Sequence, residues 1–163
     1  MSGKTELAKV LARNFTARKT GVLVHDKFWS DWGQDENPEL VRVTDNDDEF
    51  IEWVKTSQSC ALFVDEAPET CGRTKENEKF VFLGTQSRHW GHRAHFISQG
   101  LTQINPKIRS QCENQFVFAL TKAEADKLFK ETGEEMFLKC ADLRPGQFFK
   151  VAPFSDPQLL RIF

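Results

Sequence analysis

Five apolar residues in a row, Cys60-Ala61-Leu62-Phe63-Val64, run straight into two carboxylates, Asp65-Glu66. A run this short and this rich in β-formers is a strand, and with no polar residue it has no side to turn toward water. Such a strand belongs inside a sheet covered on both faces, the usual setting of parallel strands. Pro68 prevents a simple continuation, so the two acids stand at the strand's C-terminal end.

Similar short runs recur. Val22-Leu23-Val24-His25 leads to Asp26, His95-Phe96-Ile97-Ser98 leads to Gln99, and Phe116 to Leu120 forms another apolar run. Val41-Arg42-Val43 reads as a brief edge strand. Between these lie helical patterns. Residues 5–18 place Leu7, Val10, Leu11 and Phe15 on one face. Asn46 with Glu49 reads as a capping box before Phe50, Ile51, Trp53 and Val54. Residues 76–87 read as a helix weakened by Gly84, and Pro106 starts a short one over 106–112. Thr121 with Glu124 caps a helix over 122–132 that Gly133 ends. Pro145-Gly146 between Phe137-Leu138 and Phe148-Phe149-Lys150-Val151 predicts a terminal hairpin. Helices alternating with buried strands predict an α/β fold with a mostly parallel sheet flanked by helices. The expected organisation is one domain over 1–163, with 144–163 as a terminal hairpin or tail. Chemistry in such folds gathers beyond the C-terminal strand ends, where Asp26, Asp65, Glu66 and Gln99 fall.

Ser2-Gly3-Lys4-Thr5 is the second half of the phosphate-binding pattern G-x-x-x-x-G-K-[ST]. There, backbone N–H groups and a helix N-terminus surround a polyphosphate, Lys4 reaches the terminal phosphates, and Thr5 gives a hydroxyl to Mg²⁺. Three such residues also occur by chance at a solvated chain end. The strand ending in Asp65-Glu66 adds to them: one acid suits the Mg²⁺ shell and the next suits a base for the attacking water. Hydrolysis of ATP or GTP is therefore the expected reaction.

These residues resemble the additional-strand P-loop ATPases, and within them the FtsK/HerA-like DNA-pumping group. That group includes viral genome-packaging ATPases and the related filamentous-phage assembly proteins. Ser2-Gly3-Lys4-Thr5 resembles the end of their Walker A loop, and Leu62-Phe63-Val64-Asp65-Glu66 resembles their Walker B. The resemblance implies ATP and Mg²⁺ as cofactors, Ser2, Gly3, Lys4 and Thr5 as nucleotide contacts, and Thr5 and Asp65 as metal ligands. It implies Glu66 as the base and Gln99 as a sensor of the γ-phosphate. Ser87-Arg88-His89-Trp90-Gly91-His92-Arg93 resembles the basic stretch that holds a trans-acting arginine, with Arg88 favoured over Arg93 and Arg73 weaker. Asn105-Pro106-Lys107-Ile108-Arg109 resembles the element after the sensor strand. A homo-oligomeric ring, DNA, and a viral portal or capsid partner are the implied associations. The first Walker A glycine and the strand before it are missing from the pattern. Either residues upstream or a partner is expected to supply them.

Composition trims the alternatives. No apolar run reaches the roughly 18 residues of a membrane span. The four cysteines follow no compact zinc spacing, which fits a reduced, cytoplasmic setting, the host cytoplasm if the chain is viral. A net charge of −2 argues against a chain coated by nucleic acid. A local basic segment nevertheless runs from Arg88 to Lys107 without an acid. His89, His92 and His95 within it suit a solvated or phosphate-contacting loop better than a metal. Trp29, Trp32 and Trp90 are candidates for base stacking, with ordinary packing expected for at least two of them. The leading expectation is ATP hydrolysis coupled to DNA translocation or viral genome packaging. Its alternatives are a P-loop ATPase for phage assembly or export, and a catalytically weak remnant kept for protein contacts.

Overall fold

The structure is a computed structural model that describes the chain from Gly3 to Ile162, apart from the side chain of Leu101. Its residues group into two compact units, Ala8–Gln111 and a second made of Met1–Leu7 with Cys112–Phe163.

In the first unit, helix α1 (Lys4–Ala17, which begins in the other unit) leads to β1 (Val22–His25), β2 (Val41–Thr44), α2 (Asp47–Thr56) and β3 (Ala61–Val64). Short helices α3 (Ala67–Cys71) and α4 (Val81–Thr85), strand β4 (Arg93–Phe96) and α5 (Pro106–Arg109) follow. The four strands form one sheet in the order β2-β1-β3-β4, and every neighbouring pair is parallel. The apolar runs explain this arrangement. All four residues of β1 and of β3 are buried, because side chains alternate between two covered faces. Leu23, Leu62 and Val64 pack with Phe50, Val54, Phe80, Leu83 and Ile108 on one face. Val22, Val24, Ala61 and Phe63 pack with Ala8, Ala12 and Trp32 on the other.

Some expected helices differ in detail. The buried positions of α1 are Ala8 and Ala12, while Val10 is exposed; small side chains let the helix lie close to the sheet. Asn46 caps α2 by accepting from the Glu49 N–H at 3.0 Å, but Glu49 turns its carboxylate to the Thr44 hydroxyl instead of closing the box. The helix expected over 76–87 is broken into a 3₁₀ turn (Lys75–Phe80), α4 and a second 3₁₀ turn (Ser87–Trp90). Gly84 has a packing reason: a Cβ there would lie 2.9 Å from the Ile108 Cα, so its absence lets α4 and α5 touch.

The second unit contains β5 (Gln115–Phe118), α6 (Lys122–Thr132), α7 (Met136–Lys139), β6 (Gln147–Val151) and β7 (Gln158–Arg161). Its strands form an antiparallel sheet in the order β5-β6-β7. The Thr121–Glu124 capping box is complete, and Gly133 ends α6 at φ +76°. The terminal hairpin is β6–β7, not a pairing of Phe137-Leu138 with Phe148–Val151. Met136 and Phe137 are both buried and Leu138 is exposed, as on one turn of helix α7. Pro145-Gly146 instead turns the chain into β6.

Candidate functional site

β3 delivers Asp65 and Glu66 to the C-terminal edge of the parallel sheet. Asp65 is buried; its N–H donates to the His25 carbonyl at 3.0 Å, and its Oδ1 accepts from the Glu66 N–H at 3.0 Å. Glu66 then breaks the strand by adopting φ +46° and ψ +47°. A residue with a Cβ pays for that left-handed conformation, and such strain collects at functional positions. The kink is held from the next residue, where the Ala67 N–H donates to the Ile97 carbonyl at 2.7 Å, and Pro68 suits the first turn of α3. It aims the Glu66 side chain at Gln99, whose Nε2 donates to Glu66 Oε1 at 3.0 Å. Asp65, Glu66 and Gln99 are thus brought together.

Arg88 and Arg93 are not brought to them. Arg93 opens β4 opposite Ala61, at the other end of the strand pair from Val64 and Phe96. Four residues of strand span about 13 Å. Arg88 is exposed in the 3₁₀ turn before β4 and donates to Gln111 Oε1. Arg73 is exposed beyond α3.

Gly3, Lys4 and Thr5 lie in the other unit. Gly3 has φ +91°, and the Leu7 N–H donates to its carbonyl at 2.9 Å. A Cβ on Gly3 would stand 3.0 Å from Ile162 Cδ1 and 3.3 Å from the Phe118 ring, so glycine suits the backbone there on two counts. Lys4 and Thr5 open a helix of 14 residues. Ser2 falls outside the described residues. Amides at a long helix's N-terminus with a lysine suit an anion, and the Thr5 hydroxyl and Asp65 carboxylate are hard oxygen donors of the kind Mg²⁺ takes. The residues therefore fit a Mg²⁺-nucleotide in chemical type. Among the described residues no group of three His, Cys, Asp or Glu side chains is assembled to hold a metal.

The histidines are not one loop. His92 is buried: its Nδ1 accepts from the Cys60 N–H at 3.0 Å and its Nε2 donates to the Val54 carbonyl at 2.9 Å. His95 stacks on Phe63 with ring centroids 4.4 Å apart and donates from Nδ1 to the Leu62 carbonyl at 3.1 Å. Only His89 of the three is exposed. Burial lowers the His95 pKa. Among the tryptophans, Trp32 is buried and Trp90 half-buried against Phe82, whereas Trp29 is exposed.

Two polar clusters lie at the end of β1, one around Asp26, which the sequence marks as a strand-end acid, and one around His25 and Asp47, which it does not mark. Asp26, fully buried, accepts from the Phe28 N–H at 2.8 Å, the Ser30 N–H at 2.9 Å and Trp32 Nε1 at 2.9 Å. It caps a strand end and a turn. Burial works to raise its pKa, but the hydrogen bonds from Trp32, Phe28 and Ser30 outweigh that and hold it low. Beside it, buried His25 places Nε2 2.9 Å from Asp47 Oδ1, and Lys27 and Lys79 reach the same carboxylate at 3.3 and 3.0 Å. Burial lowers the His25 pKa despite the contact with Asp47. His25 and Asp47 lie 22 residues apart in sequence, which is why no local pattern announces their contact.

The fold is that of P-loop NTPases: a mostly parallel sheet flanked by helices. Among solved structures it is similar to the genome packaging NTPase B204 of Sulfolobus turreted icosahedral virus 2 in complex with sulfate. There the TM-score is 0.81 at 17% identity, over 99% of this chain and 91% of the other. That NTPase has also been solved with AMPPCP, at a TM-score of 0.79 and 17% identity over 98% of this chain and 92% of the other. The pCW3 conjugation coupling protein TcpA matches at a TM-score of 0.70 and 12% identity, over 98% of this chain and 56% of its own. At 12–17% identity these neighbours share the fold of the chain. No protein-family model and no curated protein matches the chain.

Proposed function

We propose that this chain is a Mg²⁺-dependent ATPase whose hydrolysis drives the movement or packaging of DNA. The observation that carries the reading is the pairing of Glu66 with Gln99 beside Asp65, on the parallel sheet of a fold shared with a packaging NTPase and a coupling protein. By residue type, Lys4 would hold the phosphates, and Thr5 and Asp65 would give oxygen ligands to Mg²⁺. The bound nucleotide supplies the phosphoanhydride, and the metal supplies charge neutralisation. Glu66 accepts the proton of the attacking water. Gln99 keeps the Glu66 carboxylate oriented, and the backbone kink at Glu66 turns that carboxylate away from the strand axis. Arg88 acts on a neighbouring subunit's site, a reading supported by its place at the far end of the sheet from its own Glu66. The subunits form a ring on DNA. Among the described residues no helix is long and apolar enough to cross a membrane.

Three variants test the assignment. Glu66→Gln should keep equilibrium ATP binding while slowing single-turnover hydrolysis about 10²- to 10⁴-fold, because a base acts at the chemical step. Lys4→Ala should instead lose affinity, because its charge touches ground-state phosphates. Asp65→Ala should strongly weaken Mg²⁺-dependent phosphate release, and unchanged turnover with unchanged Mg²⁺ dependence would remove Asp65 from the metal role. Hydrolysis by Glu66→Gln at the parent rate would remove Glu66 from the base role, and ATP binding with no turnover in the parent would favour the remnant reading. Stimulation of turnover by duplex DNA checks the coupling.

A further inference from the structure

The turn after β1 carries a surface that folding does not require. The buried Asp26 carboxylate pins it through three hydrogen bonds, and Trp29 within it sits at φ +51°. Trp32 goes inside at 2% exposure, while Phe28 and Trp29 remain 70% and 57% exposed. Two adjacent large aromatics held rigidly in water mark a contact surface. The residues that follow define its chemistry. From 31 to 39 the chain carries Asp31, Asp35, Glu36 and Glu39, all exposed, and no lysine or arginine. A phosphate backbone is repelled there, whereas a basic protein surface is attracted.

The chain has such a surface on the same unit. Arg88, His89 and Arg93 are exposed, and no acid occurs from 88 to 111. They lie where β3 and β4 begin, while Phe28 and Trp29 follow the C-terminal end of β1. The two surfaces are therefore at opposite ends of the sheet and complement each other head to tail. Contacts of that kind close into rings where the rotation between copies closes and run on as filaments where it does not. We infer that the Phe28–Trp29 turn and its acidic rim dock a second copy of this chain through that copy's Arg88–Arg93 segment. Guanidinium groups lie against the aromatic faces, and the carboxylates rim the contact. The inference deepens the proposed ring, since the docking copy brings Arg88 toward the strand ends that carry Asp65 and Glu66. It does not depend on hydrolysis.

Sedimentation velocity of the full chain, without nucleotide and across micromolar concentrations, tests it. The parent should self-associate, more weakly as salt rises. Phe28→Ser with Trp29→Ser, Asp35→Lys with Glu36→Lys, and His89→Glu with Arg93→Glu should each raise Kd at least about tenfold, roughly 1.4 kcal/mol. A chain carrying both charge reversals should regain association, a result that a merely misfolded variant cannot give. A monomeric parent, unchanged association in the three variants, or no recovery in the combined variant overturns the inference. Quenching of Trp29 fluorescence by a single-stranded oligonucleotide, with association unaffected by the variants, would replace the second copy with nucleic acid. Association that behaves as described in a chain that fails to hydrolyse ATP leaves the docking surface standing and removes the ATPase.

Discussion

His25 and His95 are imidazoles placed where a charge is costly, and burial lowers the pKa of both, Asp47 opposing the effect at His25. Unfolded, each titrates near pH 6.5. Below that pH the unfolded chain takes up protons that the folded state refuses. Their contribution to stability is therefore complete above about pH 6.5 and declines as pH falls toward the folded pKa values, at most about 1.4 kcal/mol per pH unit for each ring. Asp26 works in a separate window: its depressed pKa gives stability that is present above about pH 4 and lost in stronger acid. Urea unfolding at pH 7.5 and 5.5 should show lower stability in acid. His95→Phe, which keeps a ring against Phe63, should reduce that difference. An equal difference in parent and variant would mean that His95 does not carry it. Little of this was legible beforehand. His95 looked like one member of a basic stretch, because its register on β4, which turns the ring onto Phe63, is set by pairing with β3.

At the scale of elements, the strands β1 to β6, the long helices and the short α5 after Pro106 could be read from local pattern, whereas α3, α7 and β7 could not. β1 and β3 announce themselves because burial on both faces leaves no polar position. α6 does so because its cap, its apolar face and its terminal glycine all lie within its own span. The segment 75–90 breaks into three pieces because tertiary contact decides it, with Gly84 against Ile108 as the deciding point. Gly84→Ala should therefore cost about 1–3 kcal/mol, since the new methyl meets main chain that cannot rotate aside. Gly133→Ala is the comparison. Nothing lies within 4 Å of its Cβ position, so only the left-handed backbone at φ +76° opposes the change, about 1 kcal/mol. Thermal unfolding of the two variants separates packing from backbone strain. A Gly84→Ala protein as stable as the parent would show that α4 and α5 part easily.

For the whole molecule, the candidate site was half visible in the sequence. The motif residues stood out, but their meeting did not. Gln99 reaches Glu66 only because β4 lies parallel beside β3 and because Glu66 leaves the strand in a left-handed turn. That same register sends Arg93 to the opposite end, which gives the subunit-mixing experiment its sense. Glu66→Gln and Arg88→Ala proteins should each be inactive alone. Mixed, some neighbours should set an intact Arg88 against an intact Glu66, and turnover should recover. An arginine that merely touches DNA should instead lose activity in a way that excess DNA relieves and salt worsens. If Arg88→Ala and Arg93→Ala both keep DNA-saturated turnover, neither acts as the finger.

The all-parallel sheet also has a consequence for how the chain comes off the ribosome. No strand pairs with one that a short hairpin could join to it: Val22 meets Val41 on one side and Ala61 on the other, and Ala61 must then wait for Arg93. β3, the most apolar strand, is made before its second neighbour exists. Until β4 emerges, one row of its backbone hydrogen-bonding groups is open, and loop closure must be completed before those pairings repay it. In the later antiparallel sheet only β6 and β7 are joined by a short connection, while β5 waits for β6 across α6 and α7. Nascent chains in which β3 has emerged and β4 has not are therefore expected to be the ones most exposed to sticking to each other.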